Sequence, residues 1–273
     1  MNSNPKAGAR THYDSNYGNF RQNVYEEVRR EAFGEDIGQN SWLTADEQDK
    51  FLTWLALSPG KVLLDVGCGA GGPALRIAAR TGCSVVGIDA HEQAVATGKQ
   101  IAADRALAST VEFRALDASK PLPFSDGSFD VVTCIDAINH FQDRVGVLTE
   151  WGRILKPKGR LLFTSPIVMT GPLTNAEIAI RTLAGFYLLV PEGYDERAVV
   201  QSGLRLVTSE NVTQNMAEVA ERRRAARERR HVLLQEIEGD QAYLAQQEYL
   251  SVAARIAKEG RLSRFLMVAE KAD

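Results

Sequence analysis

Residues 62–73 carry the sequence VLLDVGCGAGGP, which decides the fold of this chain. Four apolar residues surround Asp65, as expected for a strand that is covered on both faces. The glycines that follow permit positive φ angles and let a ligand come close to the backbone. Pro73 suits the first turn of a helix, because its missing N–H costs nothing there. The stretch therefore predicts a buried strand, a glycine turn and a helix whose free N–H groups face a polar ligand.

The spacing of the glycines is compatible with two kinds of ligand. Gly67, Gly69 and Gly72 satisfy the dinucleotide fingerprint, and Asp89 follows at about the spacing of a ribose contact. Asp65 argues against a dinucleotide, because a carboxylate close to a pyrophosphate is repulsive, and it suits a ligand with an ammonium group. With this acid before its glycines, the segment resembles the first motif of the class I S-adenosylmethionine-dependent methyltransferases, acid-x-Gly-x-Gly-x-Gly. A nicotinamide-dependent oxidoreductase is the rival enzyme.

Strand-like and helix-like segments alternate along the middle of the chain. The strand-like segments are residues 61–66, 84–89, 111–116, 129–135 and 160–165, and the helix-like segments are 73–80, 92–107 and 143–156. This alternation predicts an α/β protein with a parallel sheet and helices on both faces. The resemblance adds the family's Rossmann-like, doubly wound sheet of seven strands, mostly parallel with the last strand antiparallel, together with helical lid insertions.

We expect a single methyltransferase domain over residues 1–273. Its expected parts are an N-terminal helical cap (1–59), a cofactor-binding core (60–166), a lid insertion (167–199), a closing strand segment (200–212), a helical insertion (213–259) and the last strand segment (260–273). Helical periodicity marks residues 24–33 and 46–57 in the cap, with Thr44 as a candidate N-cap. It also predicts a helix over 176–189 and a helical segment over 215–258.

The composition is that of an ordinary globular enzyme, with 44% hydrophobic and 25% charged residues. A net charge of −3 argues against the overall basic field of a general nucleic-acid binder. We expect no signal peptide, because the first 20 residues have no apolar segment, and we expect no membrane span. Three cysteines without metal-ligand spacing indicate a reduced, cytoplasmic protein without a metal.

The resemblance implies S-adenosyl-L-methionine as cofactor, with S-adenosyl-L-homocysteine as its product, and it assigns residues to them. Asp65 is expected to face the methionyl amino group. Backbone around Gly67, Cys68 and Gly69 is expected to approach the methionyl and ribose portions. Asp89 ends the second strand, where its two oxygens can accept both ribose hydroxyls. Asp89 can also cap the helix that follows.

The adenine ring is expected beside the ends of the second and third strands. Ala90 and Gln93 are candidates to flank the ring, with His91 as a partly exposed part of the wall. At the position of Asp117, the family's acid accepts from the exocyclic amine. The next backbone N–H, which here belongs to Ala118, meets a ring nitrogen in the family.

The fourth strand is expected to lead to the acceptor. Residues 122–130, LPFSDGSFD, closely resemble the family's approach to this strand, and Ile135 at its end is a further candidate cofactor contact. Asp136, Asn139 and His140 follow, where they could orient or deprotonate a nucleophile. The segment from Asp136 resembles the phosphoethanolamine N-methyltransferase branch, and the Asn/His pair resembles the ubiquinone-biosynthesis type. Packing of His140 in the following helix is the alternative.

The expected function is methyl transfer by in-line displacement to a small-molecule acceptor with an N, O or C nucleophile. Tyr13 and Tyr17 lie in a polar stretch that could fold over the site. The lid predicts a partly hydrophobic acceptor pocket through the following side chains: Ile167, Met169, Phe186 and Tyr187.

An arginine-rich run at residues 221–230 leaves alternatives open. It could contact nucleic acid, which would make the protein an RNA methyltransferase. We favour a solvated or subunit-packing helix, because successive arginines point around a helix and not along one face. This interpretation makes nucleic acid an unexpected partner and a homo-oligomer through the helical insertions a possible one. A non-catalytic S-adenosylmethionine-binding module is the alternative outside enzymes.

Overall fold

The computed structural model describes residues 13, 17–183, 185 and 187–273. The sequence also predicts a disordered tail over the first ten residues, and these lie outside the described residues. The predicted pocket residue Phe186 lies outside them as well. Within the described part, no helix is long and apolar enough to cross a lipid bilayer.

The strands form one twisted sheet in which five long parallel strands are followed by an antiparallel pair. Their bounds are β1 (Val62–Val66), β2 (Ser84–Asp89), β3 (Val111–Ala115), β4 (Phe129–Ile135), β5 (Leu155–Met169), β6 (Val190–Pro191), β7 (Arg205–Asn211) and β8 (Leu262–Glu270). The strand order is β3-β2-β1-β4-β5-β8-β7, and the two-residue β6 pairs with β5. Strand β8 is antiparallel to both of its neighbours, β5 and β7. The predicted α/β class and sheet are therefore confirmed.

Helices cover both faces of the sheet, and further helices form its cap. Their bounds are α1 (Asn23–Phe33), α2 (Ala45–Leu55), α3 (Gly72–Thr81), α4 (Glu92–Asp104), α5 (Arg144–Ile154), α6 (Asn175–Arg181), α7 (Tyr194–Gln201), α8 (Thr213–Glu228), α9 (His231–Glu238) and α10 (Asp240–Lys258). Thr44 caps α2, where its hydroxyl accepts from the Glu47 N–H at 3.2 Å. Helices α8, α9 and α10 lie between β7 and β8, where the resemblance placed a helical insertion.

Four segments differ clearly from the sequence-based predictions. The helix predicted over 176–189 corresponds only to α6, which ends at Arg181, before Gly185. Helix α5 ends at Ile154, two residues before the predicted end, because Pro157 disfavours a helical conformation at the residue before it. Strand β5 then runs through the predicted turn and continues to Met169. The predicted helix over 215–258 is divided into three, and Gly239, with φ of 81°, separates the last two.

The sheet is buried between two apolar layers because neighbouring strand residues face opposite sides. Leu64 and Val132 belong to the layer under α5 and α7, whereas Leu63 and Val131 belong to the layer under α2, α3 and α4. A separate apolar cluster joins the cap to the helical insertion through Trp42, Ala32, Phe33, Met216, Ala220, Leu250 and Ala254. The cap and the insertion are therefore packed together as one cover.

Candidate functional site

A cavity of about 520 Å³ lies beyond the carboxyl ends of β1, β2 and β4. This is where open α/β sheets bind ligands, and the volume is typical of a small-molecule site. Of the ten predicted cofactor residues, all except Gln93 line the cavity: Asp65, Gly67, Cys68, Gly69, Asp89, Ala90, Asp117, Ala118 and Ile135. The side chain of Gln93 is exposed at the start of α4. We call the part formed by Asp65, Gly67–Gly69, Asp89 and Asp117 the strand-end wall.

Asp65 is the buried acid of the strand-end wall. It is 6% exposed, and its Oδ1 accepts from the Thr133 hydroxyl at 2.8 Å. Burial raises the pKa of Asp65 to about 7, and the nearby charge of Asp89 acts in the same direction. No ion pair with Asp65 occurs within the described part of the chain. The carboxylate is therefore suited to a cationic group of a ligand.

The glycine turn is too tightly packed to carry side chains at two positions. Gly67 has φ of 70°, and a Cβ there would lie 2.6 Å from the Cβ of Ala137. Gly69 has φ of 56°, and a Cβ there would lie 2.7 Å from the Tyr17 hydroxyl. The N–H groups of Gly67 and Cys68 both donate to the Ile88 carbonyl, at 2.8 and 3.1 Å. Glycine is required here because β-carbons would fill the space between β1, β4 and the cap.

Asp89 is fixed by two backbone N–H donors. Its Oδ2 accepts from Gly69 at 2.8 Å, and its Oδ1 accepts from His91 at 2.9 Å. Each oxygen keeps a further lone pair that can accept a ligand hydroxyl. Burial raises the pKa of Asp89. The N-cap of α4 is His91, whose Nδ1 accepts from the Ala94 N–H, and not Asp89 as the sequence allowed. The ring centroids of His91 and Tyr17 lie 5.0 Å apart, and His91 lines the cavity as predicted.

Asp117 lies at the more open end of the wall. Its Oδ1 accepts from both the N–H and the hydroxyl of Ser119, at 3.0 and 2.6 Å. These bonds and the nearby Lys120 lower the pKa of Asp117, so it is an ionised acceptor at neutral pH.

Opposite the strand-end wall, Tyr13, His140 and Tyr187 form what we call the tyrosine–histidine cluster. His140 ends the single 3₁₀ turn Ile138–His140 after β4. Its Nε2 lies 3.1 Å from the Tyr13 hydroxyl, which lies 3.5 Å from the Tyr187 hydroxyl. The Tyr187 ring packs edge-on against His140, with centroids 4.8 Å apart. Burial lowers the pKa of His140 to about 4, so its ring is neutral at pH 7.

Asp136 lines the cavity but is held by other protein groups. Its Oδ1 accepts from the Thr164 hydroxyl and from Arg264 Nε, both at 2.7 Å. Its Oδ2 accepts from the backbone N–H of Trp42 at 2.9 Å. Arg264 also donates to both oxygens of Glu47, at 2.7 and 2.8 Å. This bonding suits a carboxylate that positions the cap.

Asn139 does not line the cavity. Its side chain is 3% exposed, and its Oδ1 has no hydrogen-bond partner within the described residues. Its backbone carbonyl accepts from the Leu188 N–H at 2.8 Å, which ties the 3₁₀ turn to the lid. The structure thus brings together His140 and Asp136 of the predicted catalytic residues, with Asn139 behind them.

Three side chains near this cluster were not singled out as site residues from the sequence: Trp42, Arg181 and Tyr249. The Trp42 and Tyr249 rings stack with centroids 6.2 Å apart, and Arg181 lies over the Tyr249 ring at 4.6 Å. They come from the cap, the lid and the insertion, so no local motif connects them. The aromatic residues of the N-terminal cap were a signal for such a cluster, but the side chains that they contact are distant in sequence.

Three arginines of the arginine-rich run form ion pairs with carboxylates of the same chain. Arg227 pairs with Glu238 at 2.7 Å. Arg229 pairs with Glu31 on α1, and Arg230 pairs with Glu31 at 2.6 Å and with Glu27 at 3.0 Å. The run therefore joins α8 to the cap, and it offers no support for the RNA alternative. The described residues contain no group of three or more His, Cys, Asp or Glu side chains that could bind a metal ion.

Sheet order, glycine turn and strand-end acids together define a class of enzyme. Residues 64–163 match the sequence family described as a methyltransferase domain. Together with the relatives and the fold, this match supports a class I S-adenosylmethionine-dependent methyltransferase.

Individual relatives extend this result. The chain is 28% identical to the 27-O-demethylrifamycin SV methyltransferase of Amycolatopsis mediterranei, over 92% of this chain and 95% of that protein. It is 36% identical to the methyltransferase GfsG of Streptomyces halstedii, over 46% of this chain and 45% of that protein, so this match spans about half of each. In fold it is similar to phosphoethanolamine N-methyltransferase 2 of Haemonchus contortus, with a TM-score of 0.81, 21% identity and coverage of 96% and 60%.

Proposed function

We propose that this protein transfers the methyl group of S-adenosylmethionine to an oxygen or nitrogen atom of a small-molecule acceptor. The observation that supports this most is that one cavity is lined by both the strand-end wall and the Tyr13–His140 pair. The bound cofactor supplies an activated methyl group. One relative that aligns with nearly the whole chain is named for an acceptor that lacks a methyl group on an oxygen, which favours a heteroatom.

The strand-end wall is proposed to hold the cofactor. Asp65 pairs with its ammonium group, and Asp89 accepts from its ribose hydroxyls. Asp117 and the Ala118 N–H contact the adenine. The turn at Gly67–Gly69 brings the backbone to the cavity surface. Because this turn is tightly packed, it fixes the position of the cofactor. The protein's contribution is mainly this alignment and the exclusion of water by the cap.

The tyrosine–histidine cluster is proposed to prepare the acceptor. An O–H or N–H acceptor must lose one proton when the new bond to carbon forms. The neutral His140 ring can take that proton at Nδ1 while its Nε2–H donates to the Tyr13 hydroxyl oxygen, and this 3.1 Å contact orients the ring. Tyr187 packs against the same ring and narrows the space around it.

The function can be tested with methyl-labelled S-adenosylmethionine and fractionated cell extract. We expect label in compounds below about 1 kDa, in line with a cavity of about 520 Å³. Label that enters only RNA would support the RNA alternative. Cofactor binding without transfer to any fraction would support the non-catalytic module, and absence of S-adenosylhomocysteine binding would reject both.

We also propose two properties that the sequence suggested. The helical insertion provides the contact between copies of the chain, since Val232, Leu233 and Leu244 are exposed large apolar side chains there. Size-exclusion chromatography of Leu233→Ser and Leu244→Ser variants tests this. The protein acts in the reducing cytoplasm, and its three buried, unpaired cysteines are consistent with that location.

A further inference from the structure

Five arginines are buried in the described part of the chain, and one of them differs from the rest. Four have carboxylate partners: Arg29 with Asp36, Arg144 with Asp195, Arg227 with Glu238, and Arg264 with Glu47 and Asp136. Arg181, at the end of α6, is 2% exposed and forms no ion pair with a described residue. Its Nε and Nη1 have no hydrogen-bond partner among these residues.

The obvious partner of Arg181 is engaged elsewhere. Glu177 lies four residues earlier on α6, at the spacing of a helical ion pair. Its carboxylate instead bonds Arg261 at 2.7 and 2.8 Å, Arg255 at 2.9 Å and the Thr174 N–H at 2.9 Å. A buried charge without a counter-ion is unfavourable, so an unpaired arginine indicates that an anion comes from elsewhere.

Arg181 lies directly behind the tyrosine–histidine cluster. Its guanidinium is 4.6 Å from the Tyr249 ring centroid and 5.8 Å from that of Trp42. Its positive charge acts on the Tyr187 hydroxyl, which is 3.5 Å from the hydroxyl of the cavity-lining Tyr13. The backbone N–H of Trp42 in turn donates to Asp136, which also lines the cavity.

A second arginine adds positive charge on the same side. Arg223 forms no ion pair with a described residue, and its Nη2 lies 3.4 Å from Oδ1 of Asn40, which lines the cavity. Burial and the charge of Arg227 lower the pKa of Arg223 to about 10, and it still carries a charge at neutral pH. Asp136, a carboxylate that lines the cavity, is already paired with Arg264.

We propose that Arg181 binds an oxyanion of the acceptor, a carboxylate or a phosphate, on the far side of the tyrosine–histidine cluster. The proposal rests on the proposed function, and it narrows the acceptor to an anionic small molecule. Guanidinium groups bind such oxyanions through charge-assisted hydrogen bonds. The Trp42, Tyr187 and Tyr249 rings would surround the bound group and keep water away, which strengthens these bonds.

The test uses the full chain saturated with S-adenosylhomocysteine, titrated calorimetrically at constant ionic strength. The probes are sodium acetate, sodium phosphate and, as a neutral shape control for acetate, acetamide. We expect acetate or phosphate to bind and acetamide not to bind, and the preferred anion identifies the oxyanion. Arg181→Gln should weaken that binding by at least about tenfold, and Arg181→Lys by less. Arg197→Gln, which removes an exposed charge from α7, should leave it within about twofold.

The proposal is overturned if neither anion binds to the wild-type complex. It is also overturned if Arg181→Gln binds the anion as tightly as the wild type does. The affinity for S-adenosylhomocysteine distinguishes failure of the anion site from failure of the proposed function. Wild-type protein that does not bind S-adenosylhomocysteine rejects the methyltransferase proposal itself. Variants that bind it as wild type does, within about twofold, confine any loss to the anion site.

A stability measurement distinguishes ligand binding from a purely structural role. Arg181→Met removes the unpaired charge but keeps apolar packing against Tyr249. We expect the ligand-free variant to unfold about 1–3 °C above the wild type, while anion binding is lost. A lower unfolding temperature shows that Arg181 stabilises the cover by its aromatic contacts, and it overturns the proposal.

Discussion

Asp65 and Asp89 stand at the ends of two adjacent strands, whereas Tyr13, His140 and Tyr187 come from three separate parts of the chain. The strand-end wall is held by short-range bonds, such as those from the Gly69 and His91 N–H groups to Asp89. The tyrosine–histidine cluster depends on how the cap, the lid and the insertion pack together. The wall can therefore stay constant among relatives while the cluster and its cover change the acceptor.

The largest effect that separates the two regions is expected at Arg264. Arg264→Met leaves Glu47 and Asp136 as buried, unpaired carboxylates, which should lower the free energy of unfolding by about 3–5 kcal/mol. Because these acids connect the cap to β4, the variant should lose acceptor-side order and keep most of its affinity for S-adenosylhomocysteine. Urea unfolding and calorimetry measure both properties.

The matched control is Arg205→Met on β7, because Arg205 is exposed and its partner Glu270 keeps a second ion pair with Arg160. This change should cost less than about 1 kcal/mol. Equal destabilisation by the two substitutions would mean that the buried network contributes no more than a surface ion pair.

The second prediction concerns the strand-end wall and removes the negative charge of Asp65. Asp65→Asn keeps the Thr133 hydrogen bond but cannot pair with an ammonium group, so affinity for S-adenosylhomocysteine should fall at least about 100-fold. The free energy of unfolding should not fall, because the wild-type carboxylate is buried without a cation. Isothermal titration and urea unfolding test this, with the surface change Asp104→Asn as control. Unchanged affinity would remove Asp65 from the cofactor site.

The wall was predictable because its signals are local. Asp65, the glycines and Asp89 fall at fixed offsets around strand ends, and parallel pairing of β1 with β2 and β4 brings them together. Gln93 departs from this pattern because α4 begins at Glu92 and turns that side chain outward.

The other region was predicted only in part, since its contacts connect distant residues. His140 was identified from its position after β4, but its contacts with Tyr13 and Tyr187 span 127 and 47 residues of chain. The bonds that hold Asp136 also come from β5, β8 and the cap. No periodicity or spacing rule carries such tertiary information.

Two histidines of the cavity allow the regions to be compared directly. His140→Gln should lower kcat about 100-fold with any acceptor found by labelling, because it removes the proposed proton acceptor. Tyr13→Phe should lower kcat less, about tenfold, since it removes only the hydrogen bond that orients the ring. His91→Gln, next to Asp89 of the strand-end wall, should alter KM for S-adenosylmethionine and leave kcat nearly unchanged. If His91→Gln and His140→Gln had the same effect on kcat, the assignment of the cluster to the acceptor would be wrong.

The smallest effect is the pH dependence of the strand-end wall. The folded, ligand-free protein raises the pKa of Asp65 to about 7, above the ordinary value of 3.8. Between these two values the folded state binds more protons than the unfolded state, so this group lowers stability as pH rises from about 4 to 7. Binding of an ammonium group reverses the preference, because it requires the ionised carboxylate. Affinity for S-adenosylhomocysteine should therefore fall about tenfold from pH 7.0 to 5.5, where the ligand's amino group stays charged. Calorimetry in two buffers of different ionisation enthalpy should detect proton release at pH 5.5, and Asp65→Asn should abolish both the release and most of the pH dependence. A wild-type affinity that is independent of pH over this interval would show that Asp65 is already ionised before the ligand arrives, and that another group balances its charge.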